Sequence, residues 1–316
     1  MLTLLAAAAL APAAGADGLP VMNVDVGASG VTNPNAGHRF VALPSGKRTV
    51  VARVERSSGE VRGFRTIDGR FTIPAVAYDG SAAGLSVDGT TLVLLAPRAR
   101  FPRQTTTFAI LDATTLRDRS RFTLRGDFSF DAMSPDGRWL YLVNYTSPDD
   151  PLRYDVRALD SRTGRLDPKP IVDPREPDEA MNGHPLTRAM SPDGRWAYTL
   201  YEGAEHPFIH ALDTTGRSAR CIDLDWLHHN RNLWAMRFSV SPDGEELRVR
   251  HGDDPVALVD TRSWEATTAE SRDDGWSPWI YVVLGGAMLV ALAAAAYRSA
   301  TRRRASSTSF GGATSA

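Results

Sequence analysis

The histidines are the first candidates for chemistry in this chain of 316 residues. His206 and His210 are four residues apart, and on a helix that spacing places two imidazoles side by side for a metal ion. Pro207 separates them, however, and residues 208–212 have the apolar character of a strand, along which residues four apart lie more than about 10 Å from each other. The spacing therefore does not predict a metal site.

The acidic residues form two further patterns. Asp136, Asp193 and Asp243 recur in equivalent contexts, and a repeated carboxylate is better explained by turn structure than by catalysis, because a catalytic site needs unlike groups. The second pattern is an acidic run within residues 165–188, the longest segment between predicted strands, and long loops on a rigid scaffold often carry binding residues. Its spacing does not match a calcium loop. We predict a candidate binding loop here, with a solvated charged loop as the alternative; its residues are Asp173, Arg175, Glu176, Asp178 and Glu179.

Motifs that carry well-known chemistry are absent from the sequence. It contains no Gly-x-Ser-x-Gly motif, phosphate-binding loop, dinucleotide fingerprint or pair of metal-binding cysteines. The single cysteine, Cys221, excludes an intramolecular disulfide, and its apolar surroundings favour a small buried side chain. We therefore predict no catalytic, cofactor-binding or metal-binding residue.

A repeated turn organises the chain. Ser-Pro-Asp-Gly occurs three times and Ser-Val-Asp-Gly once, at intervals of about 50 residues. Proline presets φ for a tight turn, aspartate bonds nearby backbone N–H groups, and glycine accepts a positive φ. The predicted structural turn residues are Asp88, Gly89, Ser134, Pro135, Asp136, Gly137, Ser191, Pro192, Asp193, Gly194, Ser241, Pro242, Asp243 and Gly244.

Strand patterns surround each of these turns. Alternating apolar and aromatic residues follow the turn, as in residues 139–145, and a later apolar stretch ends at Asp112, Asp160, Asp213 or Asp260. Each unit therefore predicts four strands, which is the content of one β-propeller blade. We predict an all-β fold with about five four-stranded blades, and four or six blades are also compatible with the pattern.

These turns and the strands that end in aspartate resemble the WD40-like and YVTN-type β-propeller proteins of bacteria. The resemblance covers residues 80–265 well and residues 38–80 weakly. The chain is rich in alanine, arginine and aspartate, and in this composition it is similar to membrane-anchored actinobacterial propellers. It implies the fold. It does not imply one function, because the wider group includes periplasmic interaction modules, cell-surface proteins and some sugar-lactone hydrolases.

The sequence patterns at the two ends of the chain predict a location outside the cytoplasm. Residues 1–16 are alanine-rich and end in small side chains typical of a signal peptide, with a short buried helix as the alternative. Residues 279–297 lack charge and precede four arginines, which favours a single transmembrane helix over a buried core helix. The predicted organisation is a signal peptide (1–16), a linker (17–37), the propeller (38–269), a juxtamembrane linker (270–278), the transmembrane helix (279–297) and a basic cytoplasmic tail (298–316).

The charge balance limits the partners. The chain has 36 basic and 37 acidic residues, so a basic surface for nucleic acid is not expected. We predict a single-pass membrane protein that contacts the lipid bilayer through one helix. Its propeller, outside the cell, binds an envelope protein or a cell-envelope glycan without a cofactor. The alternative is a propeller-type hydrolase or lactonase with a metal ion in its central channel.

Overall fold

The computed structural model describes residues 29–32, 37–178, 181–227 and 232–269. The predicted signal peptide, transmembrane helix and cytoplasmic tail, together with Glu179, lie outside the described residues. Among the described residues, no helix combines the length and the apolar character of a membrane span.

The described chain folds into five consecutive antiparallel sheets, in each of which neighbouring strands follow one another in sequence. One 3-10 turn, Leu233–Ala235, precedes the last sheet. Sheet 1 contains β1 (His38–Ser45), β2 (Arg48–Glu55) and β3 (Val61–Asp68); sheet 2 contains β4 (Thr91–Leu95), β5 (Thr105–Asp112) and β6 (Asp118–Arg125); sheet 3 contains β7 (Phe128–Met133), β8 (Trp139–Tyr145), β9 (Tyr154–Asp160) and β10 (Arg165–Ile171); sheet 4 contains β11 (Pro185–Met190), β12 (Trp196–Tyr201), β13 (Phe208–Asp213) and β14 (Ser218–Asp223); sheet 5 contains β15 (Met236–Val240), β16 (Glu246–His251), β17 (Asp254–Asp260) and β18 (Ala266–Thr268).

The repeated tetrapeptides connect the first two strands of sheets 3, 4 and 5. In the first copy, Asp136 accepts hydrogen bonds from the Ser134 hydroxyl at 2.6 Å and from the Arg138 N–H at 3.1 Å. The Ser134 hydroxyl in turn accepts the N–H of Trp139, the first residue of β8, at 2.9 Å. Gly137 has a φ of +68°, in the left-handed region that favours glycine. The same bonds recur around Asp88, Asp193 and Asp243, so these carboxylates are bound within their own turns.

Each sheet packs against the next through a layer of buried apolar side chains, because successive residues of a strand point to opposite faces and both faces of an inner sheet are covered. Tyr141 adds a polar tie, since its hydroxyl donates to the carbonyl of Thr214 in the next sheet at 2.7 Å. Representative layers are Phe40, Val51 and Leu92 between sheets 1 and 2, Phe108, Phe130 and Leu140 between sheets 2 and 3, Ala158, Ala197 and Leu212 between sheets 3 and 4, and Leu200, Leu247 and Val259 between sheets 4 and 5.

The first strands of sheets 3 and 4, β7 and β11, line a narrow cavity together with residues of the 82–87 segment and Val31. β11 lies beside β15, and Arg188 of β11 forms a buried ion pair with Asp131 of β7. The cavity has a volume of about 100 Å³. Successive four-stranded sheets arranged around an axis in this way are the blades of a β-propeller. The predicted all-β propeller fold is confirmed.

The strand content of the first two blades differs from the prediction. Sheets 3, 4 and 5 have four strands each, whereas sheets 1 and 2 have three strands each among the described residues. Isolated bridges occupy the fourth position, Val31 with Phe40 in sheet 1 and Leu85 with Leu92 in sheet 2. The segment between these sheets pairs with β4 through isolated bridges at Thr72 and Leu85, and residues 74–82 between them form a hairpin closed by the bridge between Ala75 and Ala82.

Candidate binding cleft

A cleft of about 320 Å³ opens between sheets 3 and 4, at the end of the blades opposite the Ser-Pro-Asp-Gly turns. Two loops form it, residues 172–184 between β10 and β11, and residues 202–207 between β12 and β13. The first of these loops contains the binding loop predicted from sequence. The lining combines apolar side chains with ionisable ones: Ile171, Met181 and Phe208 with Asp173, Glu176, Glu205, His206, His210 and Cys221.

Asp173 is the buried carboxylate of this cleft, with a relative exposure of 3%. It accepts the backbone N–H of Arg175 at 2.9 Å and that of Cys221 at 3.0 Å. The Arg175 guanidinium adds a bidentate contact, with Nη2 2.5 Å from Oδ2. Burial alone would raise the pKa of Asp173, but the bonds from Arg175 and the two backbone N–H groups outweigh it and hold the pKa at about 2. The carboxylate is therefore charged at neutral pH.

The remaining acidic groups lie at the rim of the cleft. Glu176 lines the cleft and is exposed, as is Asp178. On the opposite loop, His206 lies 3.0 Å from the Asp223 carboxylate and 3.6 Å from that of Asp225. The hydrogen bond to Asp223 raises the pKa of His206. Acidic side chains outnumber basic ones around this opening, so its field attracts cations.

Two glycines hold the loops of the cleft close together. A Cβ added to Gly183 would lie 2.6 Å from the backbone nitrogen of Gly203, and a Cβ added to Gly203 would lie 2.0 Å from the carbonyl oxygen of His206. Both glycines have a positive φ, +103° and +66°. Only a residue without a side chain fits at either position.

A row of polar side chains crosses sheet 4 beneath the cleft. Arg188, Thr199, His210 and Cys221 are paired in register on adjacent strands, so their side chains share the face that packs against sheet 3. His210 is 2% exposed. Burial, with the positive charge of Arg188 as the next cause, lowers the pKa of His210 to about 4. The imidazole is therefore neutral at physiological pH.

The 74–82 hairpin lies against the first residues of β11, at the same end of the blades as the cleft. The N–H groups of Tyr78 and Asp79 donate to the carbonyls of Pro185 and Leu186 in β11, at 2.9 and 3.2 Å. The Tyr78 ring packs edge-on against Trp234, with ring centroids 5.2 Å apart. These contacts join the segment after sheet 1 to sheets 4 and 5.

A buried charge cluster lies between sheets 2 and 3. Asp127 accepts hydrogen bonds from the guanidinium groups of Arg98 and Arg103, at 2.7 and 3.1 Å, and from the backbone N–H of Arg103 at 2.9 Å. The side chains of Arg98 and Asp127 are 6% and 1% exposed. Arg103 also donates a hydrogen bond to the carbonyl of Ala96, so the cluster fixes the conformation of the 96–104 loop.

A second cleft, of about 330 Å³, lies at the turn end between sheets 2 and 3. Arg119 and Arg138 line it, together with Asp136 of the first Ser-Pro-Asp-Gly turn. Arg119 already pairs with Asp112 at 2.7 Å, and Arg138 lies 3.7 Å from Asp160. Its charges are thus largely matched within the protein.

The sequence reasoning located part of the cleft and missed the rest. Asp173 and Glu176 were predicted as binding residues, and the structure places both in the lining. Cys221 was predicted to be a small buried side chain, and the spacing of His206 and His210 did not predict a site; all three line the same cleft. The signal that could have found them is the strand register, since His210 and Cys221 are paired across β13 and β14.

No family model and no curated protein matches this chain. Among solved structures, the chain is similar to the Dos1 propeller, with 11% identity and a TM-score of 0.41 over 72% of this chain and 56% of that chain. It is also similar to Kuenenia stuttgartiensis hydrazine synthase, with 15% identity and a TM-score of 0.38 over 72% and 75% of the two chains. A third is dihydro-heme d1 dehydrogenase NirN in complex with DHE, with 14% identity and a TM-score of 0.46 over 78% and 47%. This chain spans about half the length of NirN. Because all three TM-scores lie below 0.5, the assignment of the fold rests on the sheets themselves.

Proposed function

We propose that this protein is a β-propeller interaction module that binds a cationic segment of a partner protein in the cleft between sheets 3 and 4. The observation that carries the proposal is the combination of apolar side chains in the lining with carboxylates at the rim of a cleft of about 320 Å³. Lysine and arginine pack their aliphatic stems on apolar surface while their charged heads reach carboxylates. Met181 and Phe208 provide the surface, and Glu176 and Glu205 provide the charge.

We also propose that the module acts outside the cytoplasm. The sequence pattern of residues 1–16 and 279–297 supports export followed by anchoring through one helix, and the arginines after residue 297 support a cytoplasmic C-terminus. A tag at the C-terminus should then become accessible to antibody only after the cells are permeabilised. Accessibility on intact cells would reverse this topology.

The alternative function is a hydrolase with a metal ion in the central channel, and the axial carboxylates favour it less. Asp131 pairs with Arg188, and Asp79 accepts a bond from Thr187 and lies 3.8 Å from Arg237. Both are therefore engaged by protein donors. By contrast, Glu176 and Glu205 at the rim of the lateral cleft are exposed and can be reached by a partner.

The experiment is photo-crosslinking from position 181 in membranes, followed by identification of the captured protein. The double variant Glu176→Lys and Glu205→Lys should weaken capture about tenfold, and raised salt should weaken it in the wild type, because exposed ion pairs are screened. Glu60→Lys on sheet 1 is the matched control, since Glu60 is exposed and lies far along the chain from the cleft. Unchanged capture by the double variant, or capture of a neutral glycan instead, would refute the cationic partner.

A further inference from the structure

We propose that this cleft holds a Zn²⁺ site whose ligands are the Asp173 and Glu176 carboxylates, the Cys221 thiolate and the His210 imidazole. The site does not depend on the proposed partner, although Glu176 would serve both. One ligand atom from each of Asp173, Glu176 and Cys221 lies within 4.8 Å of the other two. With bonds of about 2.0–2.3 Å in a tetrahedron, ligand atoms lie roughly 3.5 Å apart. Side-chain shifts of about 1 Å therefore bring these three atoms to bonding distance, and the His210 ring, which lies outside this set, has farther to move.

His210 is the independent observation that points to a ligand. It is 2% exposed and lines the same cleft, yet in the described part of the chain its ring makes no hydrogen bond to protein. The ring nitrogens are not among the fully buried side-chain atoms that lack a hydrogen-bond partner, so they face the open cleft, where a cation can reach them. The ring lies beside Cys221 in the register of β13 and β14. A neutral imidazole is also the form that binds metals.

In the metal-free arrangement the Arg175 guanidinium is bound to the Asp173 carboxylate. It must leave that carboxylate before Zn²⁺ can bind. The Arg175 side chain is 49% exposed, so it has solvent to move into. When it leaves, each carboxylate oxygen of Asp173 keeps one backbone bond, Oδ1 from Arg175 and Oδ2 from Cys221. These N–H groups orient the carboxylate as outer hydrogen bonds do in metal sites, and one lone pair on each oxygen becomes available.

The donor set selects the metal. A thiolate and an imidazole together favour Zn²⁺ over Mg²⁺ or Ca²⁺, which prefer oxygen ligands alone. Cys221 must lose its proton on binding, so one proton is released for each metal ion bound. The two carboxylates and the thiolate carry three negative charges against the two positive charges of the ion, so the loaded site keeps one negative charge.

The test is titration of the tag-free full-length protein with Zn²⁺ alone, with Mg²⁺ as the comparison ion. We expect one Zn²⁺ per chain and no stoichiometric Mg²⁺. Co²⁺ in place of Zn²⁺ should give a sulfur-to-cobalt charge-transfer band, which needs no variant. Cys221→Ser and Asp173→Asn should each weaken Zn²⁺ binding by about 100-fold, and His210→Gln by about tenfold.

Arg175→Ala provides the sharpest outcome, because a residue that competes with the metal should behave oppositely to a ligand. We expect it to tighten Zn²⁺ binding by about tenfold. His251→Gln, on the exposed end of β16, is the matched control and should change nothing. No stoichiometric Zn²⁺, no charge-transfer band, or weaker binding by Arg175→Ala would each overturn the site.

Discussion

The Thr187 hydroxyl donates a 2.6 Å hydrogen bond to Oδ2 of Asp79, across 108 residues of sequence. Asp79 also accepts the N–H of Ser81 at 2.9 Å, which shapes the tip of the 74–82 hairpin. The carboxylate thus fixes the hairpin internally and ties it to β11. This bond therefore holds the segment after the first blade against the fourth blade.

Asp79→Ala should destabilise the fold. The substitution removes both hydrogen bonds and leaves the buried Thr187 hydroxyl unpaired, which we expect to cost about 2–3 kcal/mol. Urea denaturation followed by tryptophan fluorescence measures it, since Trp234 packs on the same hairpin. Asp253→Ala, at a fully exposed position, is the control and should change stability by less than about 0.5 kcal/mol. Equal effects of the two variants would contradict the anchoring role.

Removal of the Asp127 carboxylate should be more damaging. Asp127→Asn leaves Arg98 and Arg103 buried without their counter-charge, and breaking a buried ion pair from one side typically costs about 3–5 kcal/mol. The exposed pair of Arg48 and Asp68 is the matched control, and Asp68→Asn should cost less than about 1 kcal/mol. Thermal unfolding of the two variants separates the cases. A small loss in Asp127→Asn would mean that the cluster contributes little to stability.

The blade architecture was predictable because its signals are local. In each tetrapeptide the bonds run between residues at most five positions apart, so Asp136 and its counterparts specify their turns without the rest of the fold. The strands that end at Asp160 and Asp213 follow from short apolar runs for the same reason.

The cleft was only partly predictable because its members meet through register and packing. Asp173 and Cys221 are 48 residues apart, and the backbone N–H of Cys221 in β14 donates to the Asp173 carboxylate in the loop after β10. The 74–82 hairpin was likewise missed, since nothing near Asp79 in sequence indicates Thr187 as its partner. Secondary-structure propensity and the spacing of residues in the sequence indicate contacts between neighbours along the chain. The contacts of the cleft and the hairpin depend instead on how the blades are stacked.

Acid should weaken the fold through Asp213. Its 4% exposed carboxylate would have a raised pKa from burial alone, but Arg195 and the N–H groups of Gly216 and Thr215 outweigh that and lower the pKa. A lowered folded pKa means that the stabilisation is complete above the ordinary value of 3.8 and is lost as the pH falls through the folded value. Asp213→Asn should therefore lose about 1–2 kcal/mol at pH 7 and show a shallower decline below pH 4.

Urea midpoints measured from pH 7 to pH 2 test this pH dependence. Asp253→Asn serves as the exposed control and should follow the wild-type curve throughout. If Asp213→Asn and the wild type decline in parallel below pH 4, the acid sensitivity lies elsewhere in the chain.

The close approach of Gly183 and Gly203 should make the cleft sensitive to a single methyl group. A Cβ on Gly183 would meet the backbone nitrogen of Gly203 at 2.6 Å, so Gly183→Ala must push loops 172–184 and 202–207 apart. Gly252 has a φ of +64° with no heavy atom within 4 Å of an added Cβ, and Gly252→Ala therefore isolates the backbone strain alone. We expect Gly183→Ala to cost about 1–3 kcal/mol more than Gly252→Ala. Limited proteolysis should show faster cleavage in the two loops of Gly183→Ala only. Equal stability and equal cleavage in the two variants would show that the loops are not held in contact.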